Sequence, residues 1–240
     1  MFTIPTRTLF KPKSATGHGG IVHRRTVTTI KAAKLSKAVY KEAEPVEGYG
    51  HPIRTYKGFE KGGVQAAIYQ NKKEVVVAIR GSHTLQDWTE NNFRLAVNLM
   101  PLRWLQTREA MQWAKEFAAL DGRPLIVTGH SLGGGLAQLA STLFDCTAVT
   151  FNGVPMRSLI DGSLKFDIGA TPEQLEEARE STRIMNYRTK YDPVSWLVPG
   201  LFIGGNTILK SVKMKPLEAH SIEEMIDCVT KSDEAEEDHE

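Results

Sequence analysis

The chain has 240 residues, 41% of them hydrophobic and 24% charged, which is typical of a globular protein with one core. Its formal net charge of +2 is too small to favour a nucleic-acid partner. Cys146 and Cys228 are the only cysteines, so a disulfide framework is excluded and a metal site built on cysteine is not expected. This cysteine usage favours a reducing location such as the cytoplasm.

The two ends of the chain differ from its middle. Residues 1–25 mix proline, glycine, threonine and basic residues without a helical or strand period, and residues 232–240 are mostly acidic. We expect a disordered C-terminal tail over residues 232–240 and a single domain over residues 26–231. Two interpretations of the first end stay open: an extended or disordered terminus, or an arm that docks on a protein partner.

No stretch of the sequence approaches the roughly 20 apolar residues that span a bilayer. Residues 2–10 are interrupted by proline and arginine too early for the apolar core of a signal peptide. We therefore expect a chain without a signal peptide or a transmembrane segment.

The middle of the chain alternates strand and helix patterns. This alternation predicts an α/β fold with a mostly parallel central sheet and helices on both faces. The predicted strands are 64–69, 74–79, 125–128, 147–151, 183–187 and 207–213, and the predicted helices are 27–43, 104–120, 132–144, 172–180 and one that begins near Ser221.

One short motif joins a predicted strand to a predicted helix. Residues 129–133 read Gly-His-Ser-Leu-Gly, the sequence form of a nucleophile elbow, in which a sharp turn exposes a serine hydroxyl. Glycines on both sides of the serine allow the strained backbone and the close packing of strand and helix. Ser131 is therefore the predicted nucleophile.

A serine hydroxyl needs a histidine to accept its proton, and on this fold the histidine follows the serine and the acid in the chain. Of the seven histidines, His220 and His239 alone lie downstream of Ser131. Because His239 falls in the acidic tail, His220 is the predicted base.

The acid that orients this histidine is expected at the carboxyl end of a strand between Ser131 and His220. Asp192 follows the predicted strand 183–187 and precedes a proline, which makes it the best-placed carboxylate. Asp145 precedes its strand, and Asp161 and Asp167 fall in an irregular connection, where Asp167 stays as the reserve candidate.

Two backbone N–H groups usually stabilise the oxyanion of such an enzyme. One belongs to the residue after the nucleophile, which is Leu132. The second is expected from the loop after an earlier strand, and Ser82 follows the buried strand 74–79 directly. The alternative is that Gly81 and Ser82 form a turn and a helix cap with no catalytic role.

Together these features resemble the class 3 lipases, the fungal and plant triacylglycerol lipase-like α/β-hydrolases, over most of residues 28–230. The motifs that carry the resemblance are Arg-Gly-Ser at 80–82, Asp-Trp at 87–88, Thr-Gly-His-Ser-Leu-Gly-Gly at 128–134, Thr-Phe-Asn-Gly-Val-Pro at 150–155, Asn186, Asp-Pro-Val at 192–194, His220 and Leu-Ser-x-x-Val-Tyr at 35–40. The resemblance implies hydrolysis of a carboxylic ester, a lipid or phospholipid acyl ester, through Ser131, Asp192 and His220. It also implies Ser82 and Leu132 at the oxyanion hole. We expect no metal or organic cofactor, and contact with a membrane surface stays open.

The sequence departs from the family between Trp88 and the helix that precedes the elbow. The connection is short, which predicts a short lid. Two roles stay open for its apolar residues, a lipid-facing groove or the core: Phe93, Leu95, Val97, Leu99, Met100, Leu102 and Trp104.

Two other functions remain open at this stage. The first is a lipase-fold structural or interaction component of a larger assembly, such as a virion, tethered by its N-terminal arm. The second is an acyltransferase that uses the same three residues. The sequence leaves chain-length preference, oligomeric state and host undetermined.

Overall fold

The computed structural model describes residues 27–57, 64–82, 100–157, 167–179, 181–194, 202–211 and 213–237. The predicted N-terminal arm, the short lid and Asp161 lie outside the described residues. So do Phe93, Leu95, Val97 and Leu99.

The described residues form helices and strands that alternate along the chain. In order, these are α1 (Thr29–Ala38), β1 (Arg54–Lys57), β2 (Val64–Gln70), β3 (Val75–Ile79), α2 (Met100–Ala119), β4 (Leu125–His130), α3 (Leu132–Phe144), β5 (Thr147–Phe151), α4 (Pro172–Arg179), β6 (Ile184–Thr189), β7 (Gly205–Leu209), α5 (Pro216–His220) and α6 (Ile222–Glu237).

The strands build one sheet in the order β1-β2-β3-β4-β5-β6-β7. β1 and β2 pair antiparallel, as do β2 and β3, and each pair from β3 to β7 is parallel. The carboxyl ends of β3, β4, β5, β6 and β7 therefore meet at one edge of the sheet, where ligands bind in open α/β folds. The predicted mostly parallel sheet is confirmed.

β3 explains why helices cover both faces of this sheet. All five of its residues are buried. Val75, Val77 and Ile79 pack in the core that includes α2 and α3, whereas Val76 and Ala78 pack in the core that includes α1 and α6. Because successive strand side chains point to opposite faces, a strand covered on both sides has no polar alternation. The structure is an α/β-hydrolase fold.

Two of the apolar residues with an open role can now be assigned to the core. Met100 and Trp104 are buried in the core that packs α2 and α3 against the sheet. Leu102 lies on the same helix but is exposed. The groove interpretation is therefore wrong for Met100 and Trp104.

Several element bounds differ from the sequence-based expectation. β7 ends at Leu209, four residues before the predicted end, and four of its five residues are exposed, so it has little apolar pattern. β1 and α5 were not predicted, because four- and five-residue elements carry weak periodicity.

The C-terminal helix is longer than expected. α6 extends to Glu237, which is inside the segment expected to be a disordered tail. Glutamate and alanine are good helix formers, and neither glycine nor proline interrupts residues 232–237, so the helix continues.

Candidate active site

Ser131 occupies the sharp turn between β4 and α3. Its φ of +59° lies in a region that non-glycine residues rarely adopt, so the backbone here is strained. The strain is held by two hydrogen bonds: the Ser131 N–H donates to the Phe151 carbonyl at 3.1 Å, and the Val154 N–H donates to the Ser131 carbonyl at 3.2 Å. This geometry is that of a nucleophile elbow.

The nucleophile elbow requires glycine at position 133, because the start of α3 approaches β3 closely there. A Cβ added at Gly133 would lie 2.2 Å from the carbonyl oxygen of Ile79 on β3. Neither backbone can move without shifting the sheet or the start of α3.

Replacing Gly133 with alanine is expected to lower the free energy of unfolding by about 3 kcal/mol, because the added methyl group overlaps with backbone. Gly205→Ala is a matched control, since the nearest atom to its added Cβ is 3.7 Å away. That control is expected to change stability by less than about 0.5 kcal/mol. Urea denaturation measures both, and equal stabilities of the two variants would contradict the packing argument.

Asp192 and His220 form a buried pair at the same edge of the sheet. The Nδ1 atom of His220 lies 2.5 Å from Oδ1 of Asp192, and both side chains are almost completely buried. The same carboxylate oxygen accepts a hydrogen bond from the Val194 N–H at 3.2 Å. A proton on Nδ1 leaves Nε2 of His220 as the basic nitrogen, which is the tautomer a general base needs.

The backbone around His220 is tied to the carboxyl ends of β5 and β6. The Asn152 side-chain amide donates to the carbonyls of Ala219 and His220, at 3.1 and 3.2 Å. The Thr189 hydroxyl also donates to the Ala219 carbonyl at 2.7 Å, and the Thr189 N–H donates to the Asn152 side-chain oxygen at 2.9 Å. These bonds fix the end of α5 against the sheet and so hold the His220 ring in place.

His130, which precedes the elbow serine, connects the elbow to His220. Its Nε2 atom lies 2.7 Å from the His220 carbonyl oxygen, and the two rings are 4.7 Å apart, centroid to centroid. Because a carbonyl can only accept, Nε2 carries the proton and Nδ1 is the acceptor. The Tyr40 hydroxyl, 3.1 Å from Nδ1, therefore donates to His130.

Tyr40 extends this network to the loop after β3. Its oxygen accepts a hydrogen bond from the Gly81 N–H at 3.1 Å. A continuous chain of hydrogen bonds thus joins the Gly81 backbone, Tyr40, His130 and the His220 backbone. One end of this series of hydrogen bonds is next to Ser82 and the other is at His220, and both residues have predicted catalytic roles.

The network requires a neutral His130. Burial, together with the nearby charge that a protonated His220 would carry, lowers the pKa of His130 from 6.5 to about 3. The unfolded chain binds a proton at this position below about pH 6.5, whereas the folded chain does not. Stability therefore rises with pH through this window and is lost as the pH falls.

We expect the free energy of unfolding to fall by up to about 1.4 kcal/mol for each pH unit below about 6.5 because of His130. His130→Gln removes this titration and is expected to flatten the slope between about pH 5 and 7. Denaturant unfolding at a series of pH values compares the two proteins, which share every other titrating group. Identical slopes would contradict a neutral, buried His130.

The predicted oxyanion-hole residues flank the elbow. Leu132 begins α3, so its N–H lies in the first helical turn, where backbone N–H groups have no intrahelical partner. Ser82 follows Gly81, and a Cβ added at Gly81 would lie 3.0 Å from the Ser131 Cβ. The loop that carries Ser82 thus lies against Ser131.

A cavity of about 850 Å³ opens at this edge of the sheet. Ser82, His130 and His220 contribute to its wall, together with residues of α1, α5 and α6. Ser131, which follows the lining residue His130, is 1% exposed. Among the described residues, no group of three or more His, Cys, Asp or Glu side chains is arranged to hold a metal ion.

The sequence-predicted residues are brought to one edge of the sheet by the fold. Asp192 and His220 are in direct contact. Ser82 and Ser131 are next in sequence to Gly81 and His130, which the hydrogen-bond network connects to the His220 backbone. The reserve candidate Asp167 is exposed and accepts a hydrogen bond from the Gly169 N–H, so it orients no histidine. Asp145 is at the opposite end of its strand and pairs with Arg183.

Sequence reasoning missed the supporting residues Tyr40, His130, Asn152 and Thr189. His130 lies inside the elbow motif, which by itself assigns no role to this position. Tyr40 and Asn152 stood inside motifs that carried the family resemblance, so that resemblance was the available signal. Their contacts join residues up to 90 positions apart, which no local pattern encodes.

Comparison with known proteins gives one family. The Tle-like phospholipase domain, a phospholipase-like family, matches residues 31–236. "Extracellular phospholipase A1" of Serratia liquefaciens is 35% identical over 130 residues, which are 54% of this chain and 38% of that protein. The aligned part is thus less than half the length of this curated relative.

A solved lipase structure has the same fold. A fungal lipase superposes with a TM-score of 0.50 at 15% identity, over 80% of this chain and 82% of that one. Lipase II from Rhizopus niveus has a TM-score of 0.43 at 14% identity, over 78% and 79% of the two chains. The predicted resemblance to fungal lipases is confirmed at the level of fold.

In the described part of the chain, no helix has the length and apolar character needed to cross a bilayer.

The family model spans more than four fifths of the sequence, from α1 to α6. The chain therefore belongs to the family of Tle-like phospholipase domains.

Proposed function

We propose that this chain hydrolyses a carboxylic acyl ester of a phospholipid, with Ser131 as nucleophile, His220 as general base and Asp192 as the acid that orients it. The observation that carries the proposal is the buried Asp192–His220 pair beside a strained serine elbow. Membership of a phospholipase-like family supports a phospholipid as substrate. So does the name of the Serratia relative.

The proposed acylation step uses Ser131 as nucleophile and His220 as base. The Ser131 hydroxyl oxygen attacks the ester carbonyl carbon while its proton passes to Nε2 of His220. The N–H groups of Leu132 and Ser82 donate to the oxyanion of the tetrahedral intermediate. Collapse breaks the bond to the alcohol oxygen, which takes the proton from His220 and leaves as the lysophospholipid.

The deacylation step uses the same residues. His220 removes a proton from water, and the resulting hydroxide attacks the acyl group on Ser131. The second tetrahedral intermediate collapses, the proton returns from His220 to the serine oxygen, and the fatty acid is released. Asp192 accepts the Nδ1–H hydrogen bond of His220 throughout and so keeps the ring in place.

Access to Ser131 is a requirement of this mechanism. In the structure the residue is 1% exposed, so it is almost completely buried. The cavity walled by Ser82, His130 and His220 opens at the same edge of the sheet and is proposed to receive the acyl or headgroup part of the substrate.

A substrate panel tests the proposal. Short p-nitrophenyl esters, triacylglycerols and phospholipids with a labelled acyl chain are incubated with the protein and with Ser131→Ala. We expect release of labelled fatty acid and lysophospholipid by the unsubstituted chain alone. Cleavage of short esters without any phospholipid product would make the protein an esterase, and a product that keeps both acyl chains would place the cleaved bond in the headgroup. Transfer of the acyl chain to an added alcohol, in preference to water, would instead indicate an acyltransferase.

A further inference from the structure

The segment that leads from β7 to His220 combines exposed apolar side chains with lysines. Residues 213–217 read Lys-Met-Lys-Pro-Leu, and Lys210 precedes them. Met214 is 74% exposed and Leu217 is 48% exposed. Burying such side chains is favourable, so an exposed apolar pair at a functional edge marks a surface that contacts something else.

This segment adjoins the candidate active site. It follows the carboxyl end of β7 and runs into α5, whose last residue is His220. Leu217 lines the same cavity as Ser82 and His220. A surface that contacts Leu217 therefore lies at the mouth of that cavity.

The charge of the segment is positive. Residues 210–217 contain Lys210, Lys213 and Lys215 and no acidic residue. Lys215 lies 3.2 Å from Glu218, but the two side chains are 82% and 48% exposed, so solvent weakens the pair.

The rest of the cavity wall has a different charge balance. Lys37 lies on α1 and pairs with Glu223 at 3.2 Å, and Lys41 follows α1 and pairs with Glu44 at 3.9 Å. Acidic residues line the α5 and α6 side: Glu218, Glu223, Glu224 and Asp227. Within residues 213–217 both charged side chains are lysines: Lys213 lines the cavity beside these carboxylates, and Lys215 forms the solvent-exposed pair with Glu218.

We infer that residues 213–217 dock on the surface of an anionic phospholipid bilayer, with Met214 and Leu217 among the lipid headgroups and acyl chains and Lys213 and Lys215 on lipid phosphates. Apolar tips flanked by lysines match the two layers of a bilayer surface, an anionic headgroup layer above hydrocarbon. The docking places the cavity mouth on the lipid. The inference rests on the proposed function, because a phospholipid substrate lies in such a surface.

The test measures binding to vesicles and needs no catalysis. All variants carry Ser131→Ala so that lipid is not degraded, and co-sedimentation is measured with phosphatidylcholine vesicles that contain or lack phosphatidylglycerol. The parent is expected to bind better when phosphatidylglycerol is present. Lys213→Glu with Lys215→Glu is expected to weaken binding to anionic vesicles about tenfold or more. Met214→Ser is expected to weaken binding several-fold on both vesicles.

Matched controls stand at the opposite edge of the sheet. Leu120 is 82% exposed between α2 and β4, and Lys72 and Lys73 are exposed in the turn before β3. Leu120→Ser, and Lys72→Glu with Lys73→Glu, are expected to bind vesicles as the parent does. Thermal melting checks that every variant is folded.

The possible results separate this inference from the proposed function. No binding of the parent to either vesicle, or equal losses in the segment variants and the controls, would overturn the docking surface. If the active chain still hydrolysed phospholipid in that case, the proposed function would stand without it. Binding that depends on the segment, in a chain that cleaves no phospholipid, would keep the surface and remove the proposed substrate.

Discussion

Replacing Ser131 with alanine is expected to lower kcat for a short p-nitrophenyl ester by about 10⁵-fold. The loss is this large because the proposed reaction passes through a covalent bond to the serine oxygen, which alanine lacks. The residual rate of the variant comes from the oxyanion donors and from substrate binding alone. Steady-state kinetics on the soluble ester measures the change without the complication of a lipid surface.

Ser82→Ala is an informative comparison for that variant. Ser82 stands beside the elbow but is proposed to act through its backbone N–H, which alanine keeps, so a loss of less than about tenfold is expected unless its hydroxyl also donates. A Ser131→Ala protein that retains its melting temperature and a substantial part of its activity would remove Ser131 from the mechanism.

Replacing Asp192 with asparagine is expected to lower kcat by about 10⁴-fold. The amide keeps the size of the side chain but removes the charge that stabilises protonated His220 and fixes its tautomer. Because Asp192 is completely buried and adjoins His220 Nδ1, no solvent replaces the lost charge. The same soluble ester measures the effect.

Asp167→Asn is the matched control for this substitution. Asp167 was the other carboxylate considered for the role, and its oxygen accepts a hydrogen bond from the Gly169 N–H at an exposed position. Its substitution is expected to change kcat less than twofold. Equal losses in the two variants would mean that Asp192 acts through stability rather than through His220.

The fold was predictable where burial leaves a strong pattern in the sequence. β3 and β4 are buried on both faces and begin with apolar runs, and the sequence predicts both of them and the helix after the elbow correctly. β7 and β1 are mostly exposed edge strands. Their stability depends on pairing with a neighbour, and a sequence window carries little of that information.

The candidate site was predictable as far as chain order constrains it. The serine–acid–base order of the fold and the requirement for strand ends selected Ser131, Asp192 and His220 from many alternatives. The structure brings Asp192 and His220 into contact across 28 positions of the chain. The catalytic roles of all three remain predictions until the substitutions are made.

The supporting network was not predictable from local patterns. Tyr40 belongs to the chain segment after α1, His130 to β4 and Asn152 to the turn after β5, and they meet because parallel strands end at one edge. A tyrosine after a helix is ordinary in sequence. Its bonds to Gly81 and His130 appear only once the sheet is assembled.

Covalent labelling with a fluorophosphonate tests whether Ser131 is the nucleophile. This reagent forms a stable bond with an activated serine, and peptide mass spectrometry identifies the modified residue. We expect one adduct per chain, on Ser131, and much slower labelling of the His220→Ala variant. An adduct on Ser82 or another serine, or no adduct on a folded chain, would contradict it.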